Sequence, residues 1–296
     1  MKMDCCCHTP VNSSTPTIRV HPPNQRLGHH FQFVGDLFST LSQPGASSCY
    51  CIQMYVASPR SYTPKFLTEQ DKATTLSYCT SRHKSFAIHC SLLSNLSLPS
   101  TDDRTVKSVH HVKSLLKSVQ GLPGTCVLHI GKVGSIEQVA ANLNDLIIPR
   151  SDRVPHLLLE NAAGQGTELG RDWEQLRKLF EAIDTNKVGL CIDTQHSYAS
   201  GLCDFKDHEE VVKLFDLSED IGKLGLIHLN DSKKEFRSKI DRHEVIRQGH
   251  IWYKDDESLR SLLDRAYEKH LDVVLETPAY HDLPLLLRDY THPILL

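Results

Sequence analysis

The sequence predicts an α/β fold, a (β/α)8 TIM barrel with parallel strands, and three observations lead there. From Arg26 onward, eight short apolar runs alternate with segments of helical period. The runs are almost continuously apolar, as in Phe86-Ala87-Ile88 and Leu157-Leu158-Leu159, which suits strands covered on both faces. The chain has 296 residues, somewhat more than the ~250 typical of one such barrel. An open doubly wound sheet is the alternative architecture for the same alternation.

Taken in order, the strands are expected to end at Phe31, Tyr55, His89, His129, Leu159, Ile192, His228 and Leu275. After the third strand, Ser94–Ser100 is rich in Ser and Pro and reads as a loop. A helix follows, with Asp102 and Asp103 as capping residues and Gly121 closing it. Its apolar face is expected to carry Val106, Val109, Val112, Leu115, Leu116 and Val119. Gly164-Gln165-Gly166 with Gly170 marks the loop after the fifth strand, and its spacing is not that of a dinucleotide-binding fingerprint. Further helices are read from Trp173, Leu176, Leu179, Phe180 and Ile183, and from Leu259, Leu262, Leu263 and Ala266. Residues 1–25 show no period and are expected to be a tail outside a single catalytic domain, 26–296. The tail's Cys5-Cys6-Cys7-His8 is read as incidental, because adjacent cysteines chelate one ion poorly.

A formal charge of −3 excludes a chain that holds nucleic acid by its overall charge, so a phosphate-binding surface must be local. No apolar run is long enough for a membrane span, and no N-terminal segment resembles a signal peptide. The expected location is therefore intracellular, cytoplasmic or nuclear, with no membrane partner and no obligate protein partner. There the sequon Asn12-Ser13-Ser14 would be silent, and most of the 10 cysteines would be buried thiols.

The chemistry is announced by how the strands end. Six apolar runs terminate in His89, His129, Glu160, Asp193, His228 and Glu276. His196 follows Asp193 by one helical turn, and Asp241 and His243, two apart in an extended segment, face one way. In a parallel sheet these ends share one rim, where such barrels keep their chemistry. Four carboxylates in one cup repel each other, and divalent cations relieve that. Mixed imidazole and carboxylate donors suit zinc, with manganese or iron as alternatives. Nine donors exceed the needs of one tetrahedral ion, so two or three ions with a bridging carboxylate are expected. Unrelated polar strand ends are the bland alternative.

These segments also resemble a known family. LLLENAAGQGTELG (157–170), VGLCIDTQHSYASG (188–201), IHLNDSK (227–233), DRH (241–243) and VLETP (274–278) are similar to the motifs of endonuclease IV, the metal-dependent apurinic/apyrimidinic endonucleases. The resemblance covers roughly residues 26–296. It implies a barrel with three zinc ions: His89 and His129 on one, Glu160 bridging to a second held by Asp193, His228 and Glu276, and His196, Asp241 and His243 on the third. It implies cleavage of the DNA phosphodiester 5′ to an abasic site and trimming of blocked 3′ ends, in base excision repair. Glu160 and Glu276 would be the catalytic carboxylates, Glu276 orienting or deprotonating water.

For DNA contact, Lys233, Lys234, Arg237 and Arg242 lie in a basic loop. Arg60 and Tyr62 follow the second strand, where the family inserts an arginine-bearing loop beside the lesion. Gln53 is expected inside the barrel. The sequence departs from the family pattern at Leu92, where an aromatic residue is usual, and at Arg247 and Trp252, where glycines are. IGKVGS after His129 also lacks the usual Pro-Gly. These departures concern the grip on the lesion rather than the metal donors. Rival functions are a sugar isomerase or epimerase on the same barrel, which needs fewer donors, and a non-catalytic DNA-binding protein, which needs none.

Overall fold

The structure, a computed structural model, describes residues 26–33, 36–56, 58–63, 67–82, 84–146, 156–183, 188–222, 224–252, 256–277 and 286. The tail with its cysteine run and sequon lies outside the described residues. Eight strands form the barrel: β1 (Leu27–Phe31), β2 (Cys51–Tyr55), β3 (Ser85–His89), β4 (Thr125–His129), β5 (His156–Glu160), β6 (Val188–Asp193), β7 (Leu224–His228) and β10 (Asp272–Leu275). Each is parallel to its neighbours, and β1 pairs with both β2 and β10, so the sheet closes. That closure rules out the open doubly wound alternative.

Helices α1 (Leu37–Leu41), α2 (Glu69–Arg82), α3 (Asp103–Ser118), α4 (Ile136–Asp145), α5 (Trp173–Ala182), α6 (Thr194–Ser200), α7 (His208–Ile221) and α8 (Asp256–Glu268) occupy the connections. Side-chain carboxylates start several of them: Asp102 accepts from Arg104 N at 2.9 Å and Asp172 from Gln175 N at 2.8 Å. The α3 face is narrower than its period suggests. Val112, Leu115 and Leu116 are buried, but Val106 is 52% exposed, because at this end of α3 the buried face runs through Thr105 and Ser108, beside Val106 on the helix.

Two separate apolar layers result. The larger lies between strands and helices. The smaller fills the barrel and consists of Cys51, Ala87, Val127, Leu158, Cys191, Leu226 and Val274. Side chains alternate along a strand, so the residue two positions further on points inward too. Those residues are Gln53, His89, His129, Glu160, Asp193, His228 and Glu276. The plug therefore forms the floor of a polar cup at the C-terminal mouth. All seven described cysteines are free and buried.

One excursion leaves the barrel after β7. Its stem is a short antiparallel pair, β8 (Asp231–Ser232) with β9 (His243–Glu244). The Asp231 carboxylate gathers the excursion by accepting from Ser232 N at 2.7 Å, Ile251 N at 2.8 Å and Gly249 N at 3.1 Å. Trp252 is fully buried against Phe205 and donates from its indole to Asn230 O at 3.1 Å. Arg247, where the resemblance leads one to expect glycine, adopts a left-handed φ of 68° that glycine takes freely.

Candidate metal centre

Glu160 stands at the centre of the cup. Its Oε2 lies 3.2 Å from His89 Nε2 and 3.1 Å from His129 Nε2. Its Oε1 lies 3.0 Å from His228 Nδ1 and 3.4 Å from His196 Nδ1. Four imidazoles, three from the ends of β3, β4 and β7 and one from α6, thus converge on one carboxylate. His228 Nδ1 is also 3.4 Å from Glu276 Oε2 and 4.0 Å from Asp193 Oδ2. On the far side, His243 Nε2 lies 3.8 Å from Asp193 Oδ2 and 3.3 Å from Asp241 Oδ1, and His196 Nε2 lies 3.5 Å from Asp241 Oδ2.

The second ring nitrogen of several histidines is tied back to the protein, which fixes how each ring presents itself. His89 Nδ1 bonds Cys90 O at 2.8 Å and His228 Nε2 bonds Gln53 Oε1 at 2.9 Å; at His196 the Nδ1 that passes Glu160 is itself bonded to Asn161 O at 2.9 Å, which leaves Nε2 facing Asp241. The carboxylates are held as firmly. Asp193 caps α6 by accepting from His196 N at 2.7 Å, and its other oxygen accepts from Asn230 Nδ2 at 2.6 Å. Glu276 accepts from Gln53 Nε2 at 2.8 Å and Asn230 Nδ2 at 3.2 Å.

Burial opposes charge in the cup; it prevails at His30, whose imidazole is pushed down, but at Glu160, His196 and Asp241 the mutual pairing overcomes it. Against burial, His129 and His228 hold the Glu160 carboxyl well below the usual range. Asp193, Asp241 and Glu160 hold His196 well above the ordinary imidazole value. Asp241 is brought down to about 2 despite burial, chiefly through His196 and His243. A cup of ionised carboxylates that draws cationic partners suits metal ions.

Donor spacing agrees. Three groups have donor atoms mutually within 4.8 Å: His89, His129 and Glu160; Glu160, Asp193, His228 and Glu276; and Asp193, His196 and His243. A fourth grouping of the same residues joins His89, His228 and Glu276. Glu160 and Asp193 are each shared between groups, as bridging carboxylates would be. Asp241 flanks the third group instead of entering it at that spacing. His243 Nε2 is buried and makes no hydrogen bond, an orphan aimed at these carboxylates.

The other residues singled out from sequence lie around the mouth. Arg60 is exposed after β2, and Tyr62 donates its hydroxyl to Leu93 O at 2.7 Å. Leu92 and Leu93, 44% and 40% exposed, form an apolar lip there. Lys233, Lys234, Arg237 and Arg242 lie on the excursion at the surface, with Lys233 facing Glu244 at 3.8 Å. Gln53 is inside the barrel, bonded to Glu276 and His228.

Sequence reasoning missed five residues. His30 and Tyr55 line the ≈230 Å³ cavity at the mouth together with His89, His129, Glu160 and Glu276. Strand parity could have found His30, two residues after Gly28. The amides Asn161, Gln195 and Asn230 position donors, and a neutral amide carries no signal before its partners are placed.

The fold and this cup define a class. Residues 47–290 match the family model of the xylose isomerase-like TIM barrel. The probable endonuclease 4 of Chloroflexus aggregans is 30% identical over 270 residues, covering 87% of this chain and 93% of that protein. The probable endonuclease 4 of Alkaliphilus oremlandii is 38% identical over 157 residues, a match spanning 53% of this chain and about half, 54%, of its own length. The crystal structure of endonuclease IV from Thermus thermophilus superposes with a TM-score of 0.75 at 27% identity, covering 90% of this chain and 97% of that one. The chain belongs to the endonuclease IV family.

Proposed function

We propose that this protein is a metal-dependent endonuclease that hydrolyses the DNA phosphodiester 5′ to abasic sites, and that it also clears blocked 3′ ends. The observation that carries the reading is the convergence of four imidazoles on Glu160, each within 3.4 Å, at the meeting of the donor groups. In this reading the catalytic unit spans residues 26–296 and holds three zinc ions. His89, His129 and Glu160 take the first, Glu160, Asp193, His228 and Glu276 the second, and His196, Asp241 and His243 the third. When bound, zinc supplies positive charge at the phosphate and a water whose pKa is lowered to about 7.

The chain's own residues do the rest. Glu276, held by Gln53 and Asn230, is placed to accept a proton from water at the mouth. Lys233, Lys234, Arg237 and Arg242 on one side, and Arg60 with Tyr62 on the other, take the phosphates that flank the site. The excursion separates this reading from a sugar isomerase, because Asp241 and His243 add a third donor group that a one- or two-ion site leaves idle. Among the described residues, no helix is long and apolar enough to cross a membrane.

The test is single-turnover incision of a duplex carrying one abasic site, beside metal counting. The parent chain is expected to cut, to lose cutting on chelation, and to regain it with zinc. Asp241→Ala combined with His243→Ala should lose one metal equivalent and ~10²-fold or more in rate while still binding the duplex. Full incision by a verified metal-free chain, or sugar isomerisation with no incision, overturns the proposal.

A further inference from the structure

We infer that Gln195 is a positioning residue that suspends the Asp241 segment from α6 and so sets the metal affinity of the third donor group. The inference rests on the metal-dependent reading above.

Asp193 and His196 come directly from α6 and its cap, but Asp241 and His243 arrive on the excursion. The β8–β9 pair holds His243, whereas Asp241 lies outside that ladder with its side chain 38% exposed. Asp241 N donates to Gln165 Oε1 at 3.2 Å, but Gln165 stands on an exposed loop, so the buried hold on this segment comes from α6. The segment before it is laid along α6, with Arg237 N donating to Tyr198 O at 3.1 Å and Lys239 N to Ala199 O at 2.9 Å. Arg237 and Lys239 both take left-handed backbone angles, φ 61° and 54°. Residues other than glycine avoid that region, so the path persists only where contacts impose it.

The last contact before Asp241 belongs to Gln195, whose Nε2 donates to Ile240 O at 3.0 Å. The same nitrogen lies 3.3 Å from Ser232 Oγ, at the start of the excursion. One amide therefore ties both ends of the excursion to the first turn of α6. The side chain is fully buried, and its Oε1 has no hydrogen-bond partner. An orphaned acceptor in a buried site is a penalty that an apolar residue would avoid. Turning the amide over would not relieve it, because Oε1 would then face the Ile240 carbonyl, acceptor against acceptor. The donor to Ile240 O is what the buried amide provides. Gln195 touches none of the metal donors through this bond and acts on Asp241 through the backbone one residue before it.

The test is a zinc titration of the full chain against a competing chelator, counting equivalents for the parent, Gln195→Met and Gln195→Asn. Met keeps the length and loses the donor. Asn keeps the amide, so it preserves core polarity if Met disturbs folding, but withdraws it by one methylene. Both variants are expected to hold two ions with parental affinity and the third ~10-fold or more weakly, the size of effect usual for an outer partner of a metal ligand. Excess zinc should restore kcat, with KM for the abasic duplex unchanged throughout, an outcome that a general loss of folding would not produce. Parental affinity for all three ions in both variants overturns the inference. A parent chain that holds no third ion in the same titration overturns the metal assignment itself, and the inference with it.

Discussion

Glu160 Oε1 and His228 Nδ1 lie 3.0 Å apart at the barrel mouth, although 68 residues separate them in sequence. The other Glu160 oxygen lies against His89 and His129, so this carboxylate joins two sides of the cup. Glu160→Gln removes one negative charge from two donor groups at once. It is expected to lose at least one metal equivalent and ~10²-fold or more in incision rate. Elemental analysis with single-turnover cleavage reads both, and parental metal content would contradict a bridging role.

Asn230 donates from one nitrogen to Asp193 Oδ2 at 2.6 Å and to Glu276 Oε2 at 3.2 Å. Asn230→Ala keeps the backbone carbonyl that Trp252 needs but leaves Asp193 Oδ2 and Glu276 Oε2 without their amide donor, while Asp193 Oδ1 and Glu276 Oε1 stay held by His196 N and Gln53 Nε2. A ~10- to 100-fold weaker metal affinity is expected, as for other outer partners of ligands. Competition with a chromophoric chelator measures it, and unchanged affinity would show that the two carboxylates are held without the amide.

Lys233, Lys234 and Arg237 are all exposed on the excursion. If they track phosphates, their joint replacement by Ala should reduce the slope of log affinity against log salt by about 2 to 3, from ~0.9 per phosphate contact. Metal content should not change. Duplex binding measured at several salt concentrations decides this, and an unaltered slope would make the loop a merely solvated surface.

Trp252 stands where the resemblance leads one to expect glycine, and it fills the space beneath the excursion against Phe205. Trp252→Ala is expected to cost ~3–5 kcal/mol through the cavity it leaves. Trp252→Phe keeps most of the volume and loses the bond to Asn230 O, for about 1 kcal/mol. Denaturant unfolding separates the two. Equal stability of all three proteins would mean that the cavity closes without loss.

The sequence by itself determined the eight strands and, to within one residue, where each donor-bearing strand stops, because both are local; β5 and β6 run through Glu160 and Asp193, one residue past the expected ends at Leu159 and Ile192. An apolar run that ends in His89, Glu160 or His228 shows where burial stops and chemistry begins. The period of two along a strand then makes Cys191 and Asp193 share a direction, so the plug and the cup could be read together. Buried cysteines such as Cys126 and Cys191 were foreseeable in the same way, since a thiol inside an apolar run packs as a small hydrophobe.

Only the tertiary structure decided which donors meet. Closure through the β1–β10 pair brings His30 and Glu276 to 3.5 Å; strand parity tells that His30 points inward, but not that Glu276 is what it meets. Asp193 groups with His196 and His243 because β8–β9 pairing folds the excursion back over α6, a long-range event. Val106 follows the helical period yet faces solvent, since period describes a face and not what covers it. The amides of Gln195, Asn161 and Asn230 are silent in sequence for a related reason. A neutral hydrogen-bonding group has no preferred partner until the barrel places one within about 3 Å of it.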